Sequence, residues 1–393
     1  MDLRQRKISQ EPPTASPAPE LLARSATKWA NWKLRFRSAV ILAIIVASSV
    51  FTAHFGVLAL NTLIHILVFH ELSSLRKLDS TEDLQHSTFF EWSWFIVLEY
   101  LVTGFFVFNR FSLDENVGPL FSFLFRYHFF ICFAAACFLF VFFISTLTQP
   151  YWPRIKSLFW IIITLLILFG TTGPIISALF DALFWYILPT LLIVINDSSA
   201  YFSGFFFGRH QLCKISPKKT IEGAVGALIV TVIASWFVAA LLANFQFIIC
   251  PKNNFDLNIW VECNPDPVFL PKEYTIPWIE KSFTCRPVQL HALAYGLFAS
   301  LIAPFGGLFA SAVKRALGIK DFSDLIPGHG GVADRVDCIL FGLLFSAVWY
   351  FTFVKPYTVS HISFYSQVLP VDDQIMLYNL LKERLLSAGY ITK

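Results

Sequence analysis

Between Ser311 and Asp337 the chain reads SAVKRALGIKDFSDLIPGHGGVADRVD, a run of charges and a glycine turn set between two apolar segments. Charge at a membrane edge is costly unless it is paired or used, so this density points to function. Asp334 and Asp337, at i and i+3, fall on one face of a helix entering the last apolar segment. Hard carboxylate oxygens in a small group favour magnesium, which keeps waters and bridges to substrate phosphates. Asp321 and Asp197 are the candidates to complete that group. Lys314 and Arg315 would neutralise phosphate charge, with Ser311 beside them. The turn Pro327-Gly328-His329-Gly330-Gly331 lets backbone approach a ligand, making His329 and Gly330 candidate phosphate contacts. Asp-Arg-Val-Asp also reads as an internal salt-bridge pair at a helix start.

A second rich segment, NDSSAYFSGFFFGRHQLCKISPKKTIE, runs from Asn196 to Glu222. Its cluster of Arg209, His210, Lys214, Lys218 and Lys219 sits beside Ser216 and Thr220, just before an apolar run begins. Amides at a helix start, together with two lysines, hold phosphate oxygens well. The competing reading is that these cations only set topology. Asp197 follows an apolar run directly, so it needs a partner, either a cation such as Arg209 or a metal.

These segments must be positioned by the rest of the chain, which is 56% hydrophobic and 14% charged with 44 Phe among 393 residues. Such a composition excludes a water-soluble protein of this length and predicts an all-α, polytopic transmembrane helical bundle. Apolar runs fall near 38–54, 57–74, 91–109, 119–146, 158–178, 181–196, 222–245, 290–312 and 338–355, about nine spans, plus or minus one. The net charge of +4 carries no nucleic-acid signal. Glu99, Arg126, His128 and Asp181 are intramembrane groups expected to pair or to face a cavity, with no catalytic role.

Residues 1–37 form a basic, Pro- and Ser-containing tail that reads as disordered and cytoplasmic. With that end inside, alternation places Arg76–Phe90, Gln149–Lys156, Asn196–Ile221 and Val313–Asp337 on the cytoplasmic face. Both rich segments therefore share one face. The segment 246–289 falls on the opposite side, with four Lys/Arg against five acids. Cys250, Cys263 and Cys285 lie in it, and two of the three could pair in an oxidising lumen. Cys132, Cys137 and Cys338 read as small apolar core residues. Residues 356–393 contain an amphipathic helix with Asp372 and Asp373 early and Lys382 and Arg384 late.

The segment SAVKRALGIKDFSDLIPGHGGVADRVD resembles the signature of the CDP-diacylglycerol synthases (phosphatidate cytidylyltransferases), and NDSSAYFSGFFFGR with SPKKTIEG resembles their upstream region. In hydropathy the likeness extends over residues 38–355, the transmembrane catalytic portion, and its long loop resembles the eukaryotic endoplasmic-reticulum branch. The resemblance implies that CTP and phosphatidic acid give CDP-diacylglycerol and pyrophosphate, with Mg2+ as cofactor and membrane lipids as surroundings. It also implies an active site on the cytoplasmic face of that membrane, and it leaves a homodimer open. A CTP-dependent polyprenol or phytol kinase is the alternative enzyme. A transporter is the alternative of another class, although no inverted repeat is apparent.

Overall fold

In lipid every backbone polar group must be satisfied within its own segment, and a run of about twenty apolar residues does this as a helix. The structure, a computed structural model, describes residues 37, 38, 40–76, 84–111, 118–147, 149–213, 215–217, 219–252, 263–276, 281–328, 330–355, 366 and 369–391. The amino-terminal tail thus lies almost wholly outside the described residues. Each of the nine apolar runs becomes helical. Among the described residues eight helices are long and apolar enough to cross a bilayer, while the first, α1 (Val40–Phe51), is shorter.

After α1 come α2 (Ala53–Arg76) and α3, which starts at Leu84, passes through a π-helical turn at Tyr100–Gly104 and ends at Phe111. Helices α4 (Gly118–Ser145), α5 (Tyr151–Asp181), α6 (Phe184–Phe207) and α7 (Ile221–Leu242) follow. A hairpin of β1 (Lys272–Ile276) and β2 (Lys281–Cys285) pairs antiparallel with Lys272 opposite Cys285. Then come α8 (Pro287–Leu301), α9 (Pro304–Ala316) and α10 (Ala333–Trp349). The expected single run at 290–312 is broken where Pro304 cannot donate to the preceding turn.

The chain divides into two units, residues 1–347 and 348–393. In the second, α11 (Val371–Ser387) carries Asp372 and Asp373 in its first turn and Arg384 in its last, complementing the helix dipole. In the first, buried side chains of α2, α3 and α5 (Val68, Phe69, Phe95, Leu165, Leu168) form one core cluster. Phe322 and Val332 of the connection before α10, and Ala333 and Val336 in its first turns, belong to the same cluster.

Helix α6 differs from the expectation of an end at residue 196. It continues to Phe207, a further rise of about 16 Å. The polar residues there do not break it, because Ser198 Oγ donates back to Val194 O at 2.8 Å and the small residues face α7. Helix packing in a bilayer relies on such close approach rather than on hydrophobic burial. A Cβ on Gly223 would stand 2.8 Å from Ala200 O and 3.3 Å from Gly204 Cα, and one on Gly226 2.2 Å from Ser203 Oγ.

Within 246–289, Cys250 and Cys263 form a disulfide with Cα atoms 5.8 Å apart. This resolves the choice among three cysteines. Cys285 is a buried free thiol whose burial raises its pKa.

The α6–α7 contact predicts that Gly223→Val lowers stability by about 1–3 kcal/mol through overpacking. Thermal unfolding of the protein in detergent measures this, and an unchanged midpoint would show that the helices are not in contact there.

Candidate active site

One half of the site is built at the start of α7. Thr220 is its N-cap, its hydroxyl accepting from Gly223 N at 3.1 Å. Residues 208–213 run back against 219–221, with Leu212 N donating to Lys219 O at 2.8 Å and Ile221 N to His210 O at 2.9 Å. Glu222 locks its base, accepting from Arg209 N at 3.0 Å and His210 Nδ1 at 2.6 Å. The hairpin leaves Lys219 half-buried and Arg209 exposed.

The other half is the connection between α9 and α10. Lys314 Nζ donates to Asp334 Oδ1 at 2.5 Å, with side chains only 12% and 6% exposed. Asp334 Oδ2 accepts from Phe322 N at 2.9 Å and Gly331 N at 3.0 Å. The turn closes with Ile326 N donating to Gly330 O at 2.8 Å and Gly330 N to Ile326 O at 3.1 Å. Gly330 has φ 82°, a conformation that costs a side-chain-bearing residue and suits glycine. Arg315 Nη1 donates to Ile319 O at 2.9 Å, finishing α9, and Ser311 Oγ donates to Gly307 O at 2.7 Å within it.

The halves meet over Gly307. A Cβ there would stand 3.5 Å from Asp337 Oδ2, 3.6 Å from Lys219 Nζ and 3.1 Å from Cys338 Sγ. Asp337 lies in the field of Lys314 and Asp197, and Asp197 in the field of Lys219 and Arg335. Asp197 is exposed and Asp337 half-buried.

This geometry sorts the sequence candidates. Asp334 and Asp337 share a helix and differ in role, for Asp334 turns back onto the loop while Asp337 faces Lys219. Asp321 stands beside the turn, its Cγ 3.4 Å from where a Cβ on Gly330 would be. Among the described residues no three or more His, Cys, Asp and Glu stand together to hold a metal, so the four expected carboxylates do not form one cluster. The cations acting on Asp197 are Lys219 and Arg335 rather than Arg209. Ser216 contributes its carbonyl to Lys219 N at 3.1 Å. Lys218, Lys214 and His329 lie outside the described residues.

Two groups have no role assigned from the sequence. Arg335 stands inside the motif, between its two carboxylates. Glu71, buried on α2, accepts from Ser323 Oγ at 2.6 Å, Val332 N at 2.8 Å and Ala333 N at 2.8 Å. The one signal for it in the sequence is an acid two turns from the end of an apolar helix. The intramembrane charges find local partners: Glu99 pairs with His65 at 2.9 Å and Asp181 with Arg110 at 3.6 Å. His128 Nε2 meets Leu101 O at 2.9 Å, and Arg126 lies 6.0 Å from the Tyr127 ring.

Eight apolar helices of spanning length, with carboxylates and lysines gathered around Gly307, define an integral membrane protein. The chain belongs to the Cytidylyltransferase family, which it matches over residues 33–353. It is 36% identical over 385 residues to Phosphatidate cytidylyltransferase 1 of Arabidopsis thaliana, covering 93% of this chain and 90% of that protein. It is 36% identical to a Probable phosphatidate cytidylyltransferase of Dictyostelium discoideum, over 87% of this chain and 75% of that one. Phosphatidate cytidylyltransferase 1 of Homo sapiens is 32% identical over 98% of this chain and 86% of its own length.

Breaking a buried ion pair strands a charge, so Lys314→Met or Asp334→Asn alone should each cost about 3–5 kcal/mol. The double variant should lose less than the sum, read from unfolding in detergent. Additive losses would show that the two residues are not coupled.

Proposed function

We propose that this chain transfers the CMP group of CTP to phosphatidic acid, giving CDP-diacylglycerol and pyrophosphate. Membership of the family and the names of the relatives support the reaction. The observation that carries the site assignment is the convergence of Lys219 Nζ and Asp337 Oδ2 on Gly307, which joins two segments about a hundred residues apart.

A phosphate oxygen of phosphatidate bonds to the α-phosphorus of CTP, and the α–β bridging P–O bond breaks as pyrophosphate leaves. The attacking phosphate monoester is already anionic near neutral pH, so no strong general base is needed. Alignment and charge neutralisation carry the catalysis. Lys219 and Arg335 are placed to take phosphate charge at the site. Lys314, held on Asp334, lends its field to Asp337. Asp197 and Asp337 lie close enough to feel one another's charge, and their hard oxygens would suit the two-carboxylate, water-rich coordination of Mg2+. When bound there, Mg2+ would neutralise and bridge phosphates.

The lipid tails stay in the bilayer, so only the headgroup has to reach this site. We place the site on the cytoplasmic face of the endoplasmic-reticulum membrane. Helix α7, with 22 residues and a length of about 33 Å, separates Lys219 from the segment 246–289. The Cys250–Cys263 disulfide in that segment suits an oxidising lumen.

Incorporation of labelled CTP into lipid by purified protein, with phosphatidic acid and magnesium omitted in turn, tests the reaction. CDP-lipid and pyrophosphate are expected. Release of CDP with a phosphorylated alcohol would make the chain a kinase instead. Lys219→Met should lower kcat/KM about a hundredfold, the scale for losing one preorganised donor to transition-state charge. A folded Lys219→Met enzyme with full activity would remove that residue from the site.

A further inference from the structure

We infer that Glu71 is a positioning residue for the transfer, holding the first turn of α10 so that Asp337 faces Asp197; this rests on the proposed role of those two carboxylates. Glu71 belongs to α2, far from both charged segments in sequence. Its Oε1 accepts from Ser323 Oγ at 2.6 Å and Val332 N at 2.8 Å, and its Oε2 from Ala333 N at 2.8 Å. The first amides of a helix have no acceptor of their own, and an anion there also meets the positive end of the dipole. Here α2 supplies that anion to α10.

A second carboxylate grips the neighbouring positions. Asp334 takes Phe322 N and Gly331 N, while Glu71 takes Ser323 and the amides of Val332 and Ala333. Residues 322–323 and 331–333 are therefore clamped from two sides, by one acid inside the loop and one from another helix. Gly331 lies between them: a Cβ on it would stand 2.7 Å from Glu71 Oε2. Its backbone is not left-handed, so steric contact with Glu71 is the reason a side chain is not accommodated. The hydrophobic cluster backs the clamp, joining Val68 and Leu75 of α2 to Phe322, Val332 and Val336.

Asp337 lies one turn beyond the clamped amides. Rotation or sliding of α10 would carry it away from Asp197 and Lys219 together. Outer groups that orient metal-binding carboxylates typically change metal affinity or activity by about 10–100-fold when altered.

The test uses full-length protein in detergent. Three quantities are read: the magnesium concentration giving half-maximal CTP incorporation, kcat for that incorporation, and the rise in unfolding midpoint caused by magnesium with CTP. Glu71→Gln, which presents an NH2 to Ala333 N, should raise the magnesium requirement by about tenfold, lower kcat and shrink the ligand-induced rise. Gly331→Ala removes no charge yet pushes on Glu71, so it should move all three in the same direction even if Glu71→Gln does not fold. Glu71→Ala with Gly331→Ala should be no worse than Glu71→Ala alone. The inference is overturned if these variants lower only the ligand-free midpoint and leave the magnesium requirement and ligand-induced rise at wild-type values. Asp337→Asn separates the failures. An unchanged requirement in that variant sinks the metal pair, whereas a changed one there with none in the clamp variants sinks the role of Glu71.

Discussion

The beginning of α10 is where the costs of this fold concentrate. A helix that enters the hydrocarbon must find acceptors for its first amides at the depth where water is scarce, and an acid placed there must find a cation. Two acids divide these demands: Glu71 takes the amides of Val332 and Ala333, while Asp334 meets Lys314 Nζ with its Oδ1 and two loop amides with its Oδ2. The Asp334 side chain couples the end of α9, the glycine turn and the first turn of α10. The neighbouring acid, Asp337, accepts from Cys338 N at 2.7 Å and is left to face the open site. One carboxylate is committed to structure while another, three residues on, stays beside Lys219 at Gly307.

The opposite wall depends on a different constraint. Lys219 reaches the site because α7 begins close beside α6, and helices in lipid approach closely only where side chains are small. Gly204 and Gly223 leave room for Thr220, which caps α7, and the cap sets where the hairpin carrying Lys219 turns. The SPKKTIEG stretch thus combines cation, cap and contact glycine within eight residues. Removing any one of the three would move the others.

Much of this is legible in the sequence. All nine apolar runs are helical among the described residues because a spanning helix needs little beyond length and hydropathy. The two charged segments stand out because charge beside hydrocarbon is expensive. The continuation of α6 to Phe207 is not legible: Asn196-Asp197-Ser198-Ser199 looks like loop until α7 is present to cover its small face. Nor is the separation of Asp334 from Asp337, since i and i+3 spacing states which face two residues share but not which partners pull each carboxylate. Glu71 is the hardest to see. Its partners are more than 250 residues away, and nothing local in an otherwise apolar helix says that its carboxylate ends on another helix's amides.

The charges gathered around Gly307 also balance one another without a ligand. Asp197 and Asp337 are opposed by Lys219 and Arg335, with Lys314 partly engaged by Asp334. An unpaired buried charge would cost several kcal/mol, whereas a locally balanced set is tolerable without ligand. Balance of this kind is also exchangeable. Under the proposed reaction, substrate phosphates would take over the cations and an accompanying divalent cation the carboxylates, so no charge would be stranded during the exchange. Elsewhere among the helices, His65–Glu99 and Arg110–Asp181 are paired too, but those groups are mostly covered by protein. The set around Gly307 differs in that Asp197 and Arg335 are exposed and Gly307 offers no side chain to fill the space between Lys219 and Asp337.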